Sequence, residues 1–360
     1  MNGALQTELT RRLGCRHPVV QTAMGWVADP GLVAATTNAG GFGFLAAAVM
    51  GAGEIGPALS AVRARTAGNF GVNFHMFQPS ADEVIEAILA NRDRVRAVSY
   101  GRGPDARTIA RFKDAGILCM PTVGALKHAL KAVELGADFV TVQGGEGGGH
   151  TGAVPTSILL PQVLDAVTVP VVAAGGFHDG RGLAAALAWG AAGIAMGTRF
   201  LMTTESPVNP RTLAAYVAVR DPGEVRVTTA VDGLPQRFVH NDAIRRMEGM
   251  GALSRLVASL HHARRWGRAA GLGYRQMLAL AWRSMRAEDS SFASTVMAPN
   301  LPRLVQQGLL AGDTQGGLMP AGQVAALINR LESCDDLITR IVAEAEGRIA
   351  ALCAAGGKRE

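Results

Sequence analysis

The segment from Gln143 to Gly152 sets six glycines around one carboxylate, Glu146, and one imidazole, His150. Glycines let backbone amides approach a flat or anionic ligand, because they lack a side chain and tolerate positive φ angles. A histidine on such a loop suits proton transfer near neutral pH, because its ordinary pKa is about 6.5. We therefore predict that His150 is catalytic and that Glu146 orients the loop or the histidine rather than performing chemistry.

The composition sets the size and class of the protein. The chain has 360 residues and 48% hydrophobic content, enough for one α/β barrel with additions or for two domains. It has no run of about eighteen uncharged apolar residues, so we predict no membrane span. The N-terminus lacks the layout of a signal peptide, and the four cysteines are far apart without metal-site spacing. The sequence predicts a cytoplasmic, reduced and metal-free protein.

Apolar, β-rich runs alternate with amphipathic segments through the first two hundred or so residues. The eight runs are Pro18–Ala23, Gly43–Ala47, Phe70–Phe74, Val95–Tyr100, Ile117–Thr122, Phe139–Gln143, Val169–Ala174 and Gly193–Gly197. Such strands are typical of a parallel sheet buried on both faces. We predict a (β/α)8 barrel with a C-terminal, mostly helical cap; an open, doubly wound sheet is the alternative.

The strand–helix alternation stops after about Val219. We predict three regions: a barrel over residues 1–219, a helical cap or substrate region over 220–330, and a C-terminal helix over 331–360 that packs back on the barrel. Within the last two regions, apolar stripes predict helices over Asp242–Ala270, Tyr274–Arg286 and Gly322–Leu352.

Glycines follow the seventh and eighth predicted strands. Gly175 and Gly176 follow one strand, and Gly197 and Thr198 follow the next. Barrels commonly bind phosphate at these two loops, and backbone amides with a hydroxyl group are suitable donors. The sequence therefore predicts a phosphate site.

The phosphate could belong to FMN, pyridoxal phosphate or a sugar phosphate. Pyridoxal phosphate requires a lysine at a strand end, whereas the lysines here fall within helical segments or the C-terminal tail. The small residues Ala23, Met24 and Gly25 after the first strand could leave a slot for a flavin ring. Asn73 could hydrogen-bond the pyrimidine edge of such a ring.

These residues resemble motifs of the nitronate monooxygenase (2-nitropropane dioxygenase-like) family of FMN-dependent barrels. The matching segments are Ala23-Met24, Gly71-x-Asn73, Glu146-Gly-Gly-Gly-His150-x-Gly152, Ala173-Ala-Gly-Gly-Phe-x-Asp-Gly-Arg-Gly182 and Met196-Gly-Thr-Arg-Phe-Leu201. The resemblance implies FMN, with His150 as the catalytic residue near the flavin. The predicted cofactor contacts are Ala23, Met24, Gly25, Asn73, Gln143, Gly148, Gly149, Gly175, Gly176, Gly197 and Thr198.

A narrower resemblance points to a branch of flavin dehydrogenases that act on coenzyme A thioesters of partly degraded steroid rings. It is carried by Val19-Val-Gln-Thr, by Val142–Gly152 and by Val231-Asp-Gly-Leu-Pro235. The chain departs from the wider family in having Gln21-Thr-Ala-Met where many members have Ala-Pro-Met, and glycine at position 147.

Positive charge is concentrated in one segment. Nine arginines and one acid, Glu248, lie between Arg245 and Arg286. The segment is either a solvated face or a site for a phosphate-bearing substrate, because arginine binds phosphate in bidentate geometry. We predict substrate contacts from Trp26, Glu146, Arg264, Arg265 and Arg268.

The sequence thus predicts an FMN-dependent oxidoreductase with a small-molecule substrate. A coenzyme A thioester as substrate would explain the arginines. The alternative substrates are an alkyl nitronate, a quinone or an enoyl thioester. A flavin-free barrel that acts as a binding protein is a hypothesis of another class. Two segments match Gly-x-Gly-x-x-Gly, Gly51–Gly56 and Gly147–Gly152, but we interpret neither as a dinucleotide fingerprint. NADH or NADPH is nevertheless compatible as an electron partner. No nucleic-acid partner is expected, and a homodimer is compatible with the sequence.

Overall fold

The computed structural model describes residues 3, 5–76, 78–101, 105–250 and 300–356. They fall into two compact units. The barrel unit lies within Met1–Gly147, Gly152–Pro207 and Leu327–Glu360, and the insert unit lies within Gly148–Thr151 and Val208–Ala326. Whether residues 219 and 330 bound independently folding domains stays a prediction.

The described elements are numbered along the chain. The strands are β1 (Val19–Gln21), β2 (Phe42–Ala46), β3 (Phe70–Asn73), β4 (Val95–Ser99), β5 (Leu118–Cys119), β6 (Thr122–Val123), β7 (Val140–Gln143), β8 (Gly149–His150), β9 (Val171–Ala174), β10 (Gly193–Met196), β11 (Val225–Thr228) and β12 (Gln236–Val239). The helices are α1 (Glu8–Leu13), α2 (Pro30–Asn38), α3 (Ile55–Arg65), α4 (Ala81–Ala90), α5 (Ala106–Asp114), α6 (Leu126–Glu134), α7 (Thr156–Leu164), α8 (Gly180–Ala188), α9 (Thr198–Leu201), α10 (Pro210–Ala218), α11 (Asp242–Gly249), α12 (Asn300–Leu309) and α13 (Cys334–Gly356). Short 3₁₀ helices span Ala47–Val49, Pro222–Glu224 and Gln323–Leu327.

The barrel unit is built on a parallel sheet with the strand order β5-β4-β3-β2-β1-β10-β9-β7-β6. Its two ends, β5 and β6, are pieces of one strand that is interrupted at Met120 and Pro121. The amide of Met120 donates to the carbonyl of Val98 in β4, and the amide of Thr141 in β7 donates to the carbonyl of Pro121. This segment therefore joins both edges of the sheet. The predicted (β/α)8 barrel is confirmed, with its fifth strand split in two.

Helix α13 completes the ring of barrel helices. It contacts both α8 and α2. The amide of Gly180 at the start of α8 donates to the Glu344 carboxylate at 2.9 Å, and the thiol of Cys334 lies 3.8 Å from the Thr36 hydroxyl in α2. This is the position of the helix that follows the eighth strand of such a barrel. Most of the insert unit therefore lies, in sequence, between the eighth barrel strand, β10, and its helix.

Helix α1 covers the N-terminal end of the barrel. Its residues Leu9 and Leu13 are fully buried and share one core cluster with Val20, Phe42 and Phe139 from the strands and their flanks. The end that remains for chemistry is the opposite one, where the strands have their C-termini.

The insert unit contains helices α10, α11 and α12 and a three-stranded antiparallel sheet in the order β11-β12-β8. The prediction of helices did not include this sheet. The predicted helix over Gly322–Leu352 is interrupted at residues 328–333, since a 3₁₀ helix ends at Leu327 and α13 begins at Cys334. Residues 251–299, with the predicted helix over Tyr274–Arg286, lie outside the described residues. Among the described helices, none is long and apolar enough to cross a membrane.

Candidate active site

The C-terminal rim of the barrel carries most of the predicted cofactor residues. Parallel strands of a closed barrel end at a common rim, which is where barrel enzymes bind their substrates. Asn73 and Gln143 are the last residues of β3 and β7. The others follow a strand directly: Ala23, Met24 and Gly25 come after β1, Gly175 and Gly176 after β9, and Gly197 and Thr198 after β10. The fold thus brings these nine residues to one rim.

The turn after β9 requires glycine. Gly175 and Gly176 have φ angles of +90° and +84°, which side chains of L-residues rarely adopt. A Cβ atom on Gly175 would also lie 3.0 Å from the backbone nitrogen and oxygen of Gly144. At Gly176 the nearest atoms to such a Cβ belong to Glu146, at 3.8 Å. The turn therefore exposes backbone where a side chain would otherwise stand, as an anion site requires.

The turn after β10 lies against the loop after β1. A Cβ atom on Gly197 would approach the Thr22 hydroxyl to 3.2 Å and the Met24 sulfur to 3.5 Å. Thr198, the next residue, is buried. The first and eighth strands are paired in register, with Gln21 opposite Met196. Barrel closure therefore places the predicted flavin slot beside one of the predicted phosphate turns.

The loop after β1 contains a strained residue. Trp26 is half-buried and has a φ angle of +61°, the sole positive value outside glycine among the described residues. The amides of Val27 and Ala28 both donate to the carbonyl of Met24, which tightens the turn around it. A left-handed backbone costs a non-glycine residue on the order of 1 kcal/mol, and such strain is concentrated at functional sites.

Two amide side chains at this rim are held by their neighbours. The Asn73 side chain donates from Nδ2 to the carbonyl of Ser99 at 3.0 Å. Gln143 packs on Gly147 so closely that a Cβ there would lie 2.6 Å from its Nε2 atom. Both side chains therefore contact neighbouring residues at the rim.

Glu146 is bound to the start of α7. Its carboxylate accepts hydrogen bonds from the Thr156 amide at 3.0 Å and from the Thr156 hydroxyl at 2.8 Å. The same hydroxyl oxygen lies 2.9 Å from the carbonyl of Gly175. Thr156 thus connects the loop after β7 with the glycine turn after β9. These hydrogen bonds attach the loop to α7; the orienting role of Glu146 stays a prediction.

His150 belongs to the insert unit, where it is paired with a buried acid. It opposes Gln236 in the β8–β12 ladder. Its Nε2 atom lies 2.9 Å from Oδ2 of Asp232. The His150 side chain is 52% exposed, whereas that of Asp232 is only 7% exposed. The exposed imidazole is therefore fixed from behind by a carboxylate.

The Asp232 carboxylate is charged in this setting. Burial raises its pKa, but the hydrogen bond and charge of His150 and the hydrogen bond from the amide of Leu234 help to outweigh burial, and the net pKa is lowered. A buried carboxylate of this kind orients an imidazole and stabilises its protonated form. The His150–Asp232 pair is thus suited to proton transfer.

Of the remaining predicted site residues, the structure describes two glycines and does not describe three arginines. Gly148 lies in the insert unit, where a Cβ would be 2.6 Å from the backbone of Ala321, so close packing requires glycine there. Gly149 precedes His150 in β8. Arg264, Arg265 and Arg268 lie outside the described residues.

Sequence reasoning missed two partners, Thr156 and Asp232. Asp232 lies 82 residues from His150, and no local pattern pairs them. The one available signal was the Val231–Pro235 motif in the narrower resemblance, to which no role had been assigned. Thr156 opens α7 as an ordinary helix-start residue, and its contacts depend on barrel closure.

Comparison with known proteins defines the class. The family model described as "Nitronate monooxygenase" matches residues 6–344. The chain therefore belongs to the nitronate monooxygenase family, and it is a flavin-dependent oxidoreductase.

Among curated relatives, the chain is similar to two proteins that share one name, "(3aS,4S,5R,7aS)-5-hydroxy-7a-methyl-1-oxo-octahydro-1H-indene-4-carboxyl-CoA dehydrogenase". The protein from Rhodococcus jostii is 46% identical, over 97% of this chain and 98% of its own length. The protein from Mycobacterium tuberculosis is 44% identical, over 95% and 96%. A probable nitronate monooxygenase of Staphylococcus aureus is 29% identical, over 67% of this chain and 80% of its own length.

Among solved structures, FabK from Thermotoga maritima superposes with a TM-score of 0.79 at 29% identity, covering 97% of this chain and 99% of that one. A nitroalkane oxidase from Streptomyces ansochromogenes gives a TM-score of 0.74 at 29% identity, covering 96% and 99%. The fold of the chain is thus that of known barrel enzymes.

Proposed function

We propose that this protein is an FMN-dependent dehydrogenase of a coenzyme A thioester derived from steroid ring degradation. The observation that carries the proposal is the extent of the similarity. The two relatives named as carboxyl-CoA dehydrogenases match at 44–46% identity through nearly the whole chain. The probable nitronate monooxygenase matches two thirds of it at 29%. Similarity to the dehydrogenases therefore extends to segments that the nitronate-type relative does not match.

The rim residues fit an FMN phosphate. The turns at Gly175–Gly176 and Gly197–Thr198 offer backbone amides and a hydroxyl group, and neither turn carries an acidic side chain. The side chain nearest to a Cβ on Gly176 would be that of Glu146, whose carboxylate accepts hydrogen bonds from the amide and hydroxyl of Thr156. The residues that would hold the ring portion are Ala23, Met24, Gly25, Asn73 and Gln143, and Gly148 and Gly149 are further proposed contacts. When bound, the flavin would supply the two-electron acceptor for a hydride.

His150 would move the proton that accompanies the hydride. In the neutral ring, Nε2–H donates to Asp232, so Nδ1 is the basic nitrogen. A proton taken up at Nδ1 gives an imidazolium, and the buried Asp232 carboxylate stabilises that charge. Asp232 also fixes the tautomer, so the base is set before the substrate arrives.

The substrate class matches the chemistry of such a site. In the relatives' named substrate, a hydroxyl group and a carboxyl-CoA thioester stand on neighbouring ring carbons. Dehydrogenation removes one proton and one hydride, which are the two species that His150 and a flavin would accept. The proposed substrate contacts remain Trp26 at the rim and, for the coenzyme A phosphates, Arg264, Arg265 and Arg268. NADH or NADPH as electron partner is a further proposal, and so is a homodimer.

The second candidate is oxidation of an alkyl nitronate, which the family name and the 29% identical relative favour. The two candidates separate in a steady-state assay of the FMN-loaded protein. The thioester, assayed with an artificial electron acceptor, should give a kcat/KM well above that of propyl nitronate with oxygen. A higher kcat/KM for the nitronate would reject the dehydrogenase. Heat release of the bound flavin identifies it as FMN or FAD in the same preparation.

A further inference from the structure

Three arginines surround the carboxylate of Glu332 in the barrel unit. Glu332 accepts two hydrogen bonds from Arg340, from Nε at 3.0 Å and from Nη2 at 2.7 Å. It accepts a third from Arg330 at 3.0 Å, and Nη1 of Arg199 lies 3.8 Å away. The Glu332 side chain is 9% exposed and that of Arg199 is 3% exposed. This cluster plays no part in the chemistry proposed above.

The cluster is attached to a turn that the proposed function uses. Arg199 directly follows Thr198, and its Nη2 atom donates to the carbonyl of Met202 at 2.7 Å, across the short helix α9. The backbone is joined as well, since the amide of Thr204 donates to the carbonyl of Glu332 at 3.0 Å. Residues 198–204 are therefore held to Glu332 by both a side chain and the main chain.

Glu332 supplies the negative charge that this junction needs. Without it, the buried guanidinium of Arg199 would face the charges of Arg330 and Arg340 with no counter-charge from the cluster. Burial already lowers the pKa of Arg199 to about 10. A buried cation that loses its partner is strongly unfavourable, and the residue forced to move is next to Thr198.

We propose that Glu332 is a positioning residue for the phosphate-binding turn Gly197–Thr198 and acts on it through Arg199. The proposal rests on the proposed FMN function. The segment that closes the ring of barrel helices thereby also sets the geometry of the cofactor's phosphate. The flavin ring would be held mainly from other loops, so its binding should depend less on Glu332 than that of the phosphate.

The test compares two ligands that differ by the phosphate alone. Apo-protein is titrated with FMN and with riboflavin, and flavin fluorescence gives both dissociation constants. In Glu332→Gln the constant for FMN should rise about 10-fold, by analogy with residues that orient metal ligands, while the constant for riboflavin should rise less. Glu346→Gln, an exposed acid of α13 with the same change of charge, is the matched control and should leave both constants unchanged.

Arg199→Lys is the second variant, in case Glu332→Gln folds poorly. It keeps the charge but cannot reach both Met202 and Glu332, so FMN affinity should again fall selectively. An unchanged preference for FMN over riboflavin in both variants would overturn the positioning role. Equal affinity of the wild-type protein for FMN and riboflavin would instead reject the phosphate site itself, and the positioning role with it.

Discussion

Asp232 and His150 are separated by 82 residues, yet their side chains meet at 2.9 Å. The carboxylate is buried and charged, and the imidazole it holds is half exposed. Four residues before His150, Glu146 is held by a different partner, Thr156. The two ionisable residues of the glycine loop therefore have different partners, and the proposal assigns proton transfer to His150 and the orientation of the loop to Glu146.

Asp232→Asn should lower kcat with little change in KM. An asparagine can still lie beside the ring, but it cannot stabilise the imidazolium, so we expect a loss on the order of 100-fold. Steady-state kinetics and the visible absorbance of bound flavin measure this. Asp242→Asn, which removes an exposed acid from the same unit, is the control. Equal effects of the two substitutions, or loss of the flavin in Asp232→Asn, would contradict the role of the pair.

Gly176→Ala should weaken flavin binding, whereas Gly190→Ala should not. Both glycines have positive φ angles, +84° and +99°, so each alanine should cost about 1–2 kcal/mol of stability. A Cβ at Gly190 meets nothing within 4 Å. This glycine follows helix α8 and precedes β10, so it lies at the N-terminal end of the strands, opposite to the rim turns. Thermal unfolding and FMN titration separate the two effects. If Gly190→Ala lost flavin as readily as Gly176→Ala, the loss would reflect stability alone.

Thr156→Val should loosen both the glycine loop and the turn after β9. Valine keeps the shape but leaves Glu146 without the hydroxyl donor, at a cost of about 1–3 kcal/mol in the free energy of unfolding. We expect a weaker affinity for FMN as well. The control is Thr212→Val in the insert unit, where a buried hydroxyl donates to the carbonyl of Gly308 at 2.6 Å. It should reduce stability similarly without changing the affinity for flavin.

Glu332 should make stability depend on pH in the acid range. The hydrogen bond from Arg340 is the largest cause that lowers its pKa, from 4.5 to about 2. Since the folded pKa is depressed, this contribution is fully present above about pH 4.5 and disappears as the pH falls toward 2. It amounts to at most about 3 kcal/mol.

Urea unfolding of the wild-type protein and of Glu332→Gln checks this dependence. The difference in their free energies of unfolding should be largest near neutral pH and shrink below about pH 4. A difference that stays constant with pH would mean that the ion pairs of Glu332 contribute nothing to stability.

The barrel could be predicted because its strands and helices follow from local sequence patterns. Apolar runs such as Val169–Ala174 alternate with amphipathic segments, and Gly175 and Gly176 mark the turn that follows. The split of the fifth strand was missed, although Pro121 carries a signal for it, since proline has no amide to donate to a sheet.

Contacts between residues distant in the sequence could not be predicted from local patterns. The sequence predicts a C-terminal helix over 331–360 that packs back on the barrel, but not that α13 is the barrel's eighth helix, because the insert separates it from β10. Strand β8 is two residues long within a glycine run, Gly149–His150, and it exists because β12 pairs with it. Asp232 becomes a partner of His150 through that pairing, so tertiary structure rather than local pattern completes the candidate site.

The central claim is that a hydride and a proton leave a coenzyme A thioester together, with His150 taking the proton. Anaerobic stopped-flow mixing of the FMN-loaded protein with a hydroxylated indene-carboxyl-CoA thioester, and separately with propyl nitronate, tests it most directly. We predict rapid loss of the oxidised-flavin absorbance with the thioester, and slowing on the order of 100-fold or more in His150→Gln with the flavin still bound. Bleaching by the nitronate alone, or an unchanged rate in His150→Gln, would contradict the account.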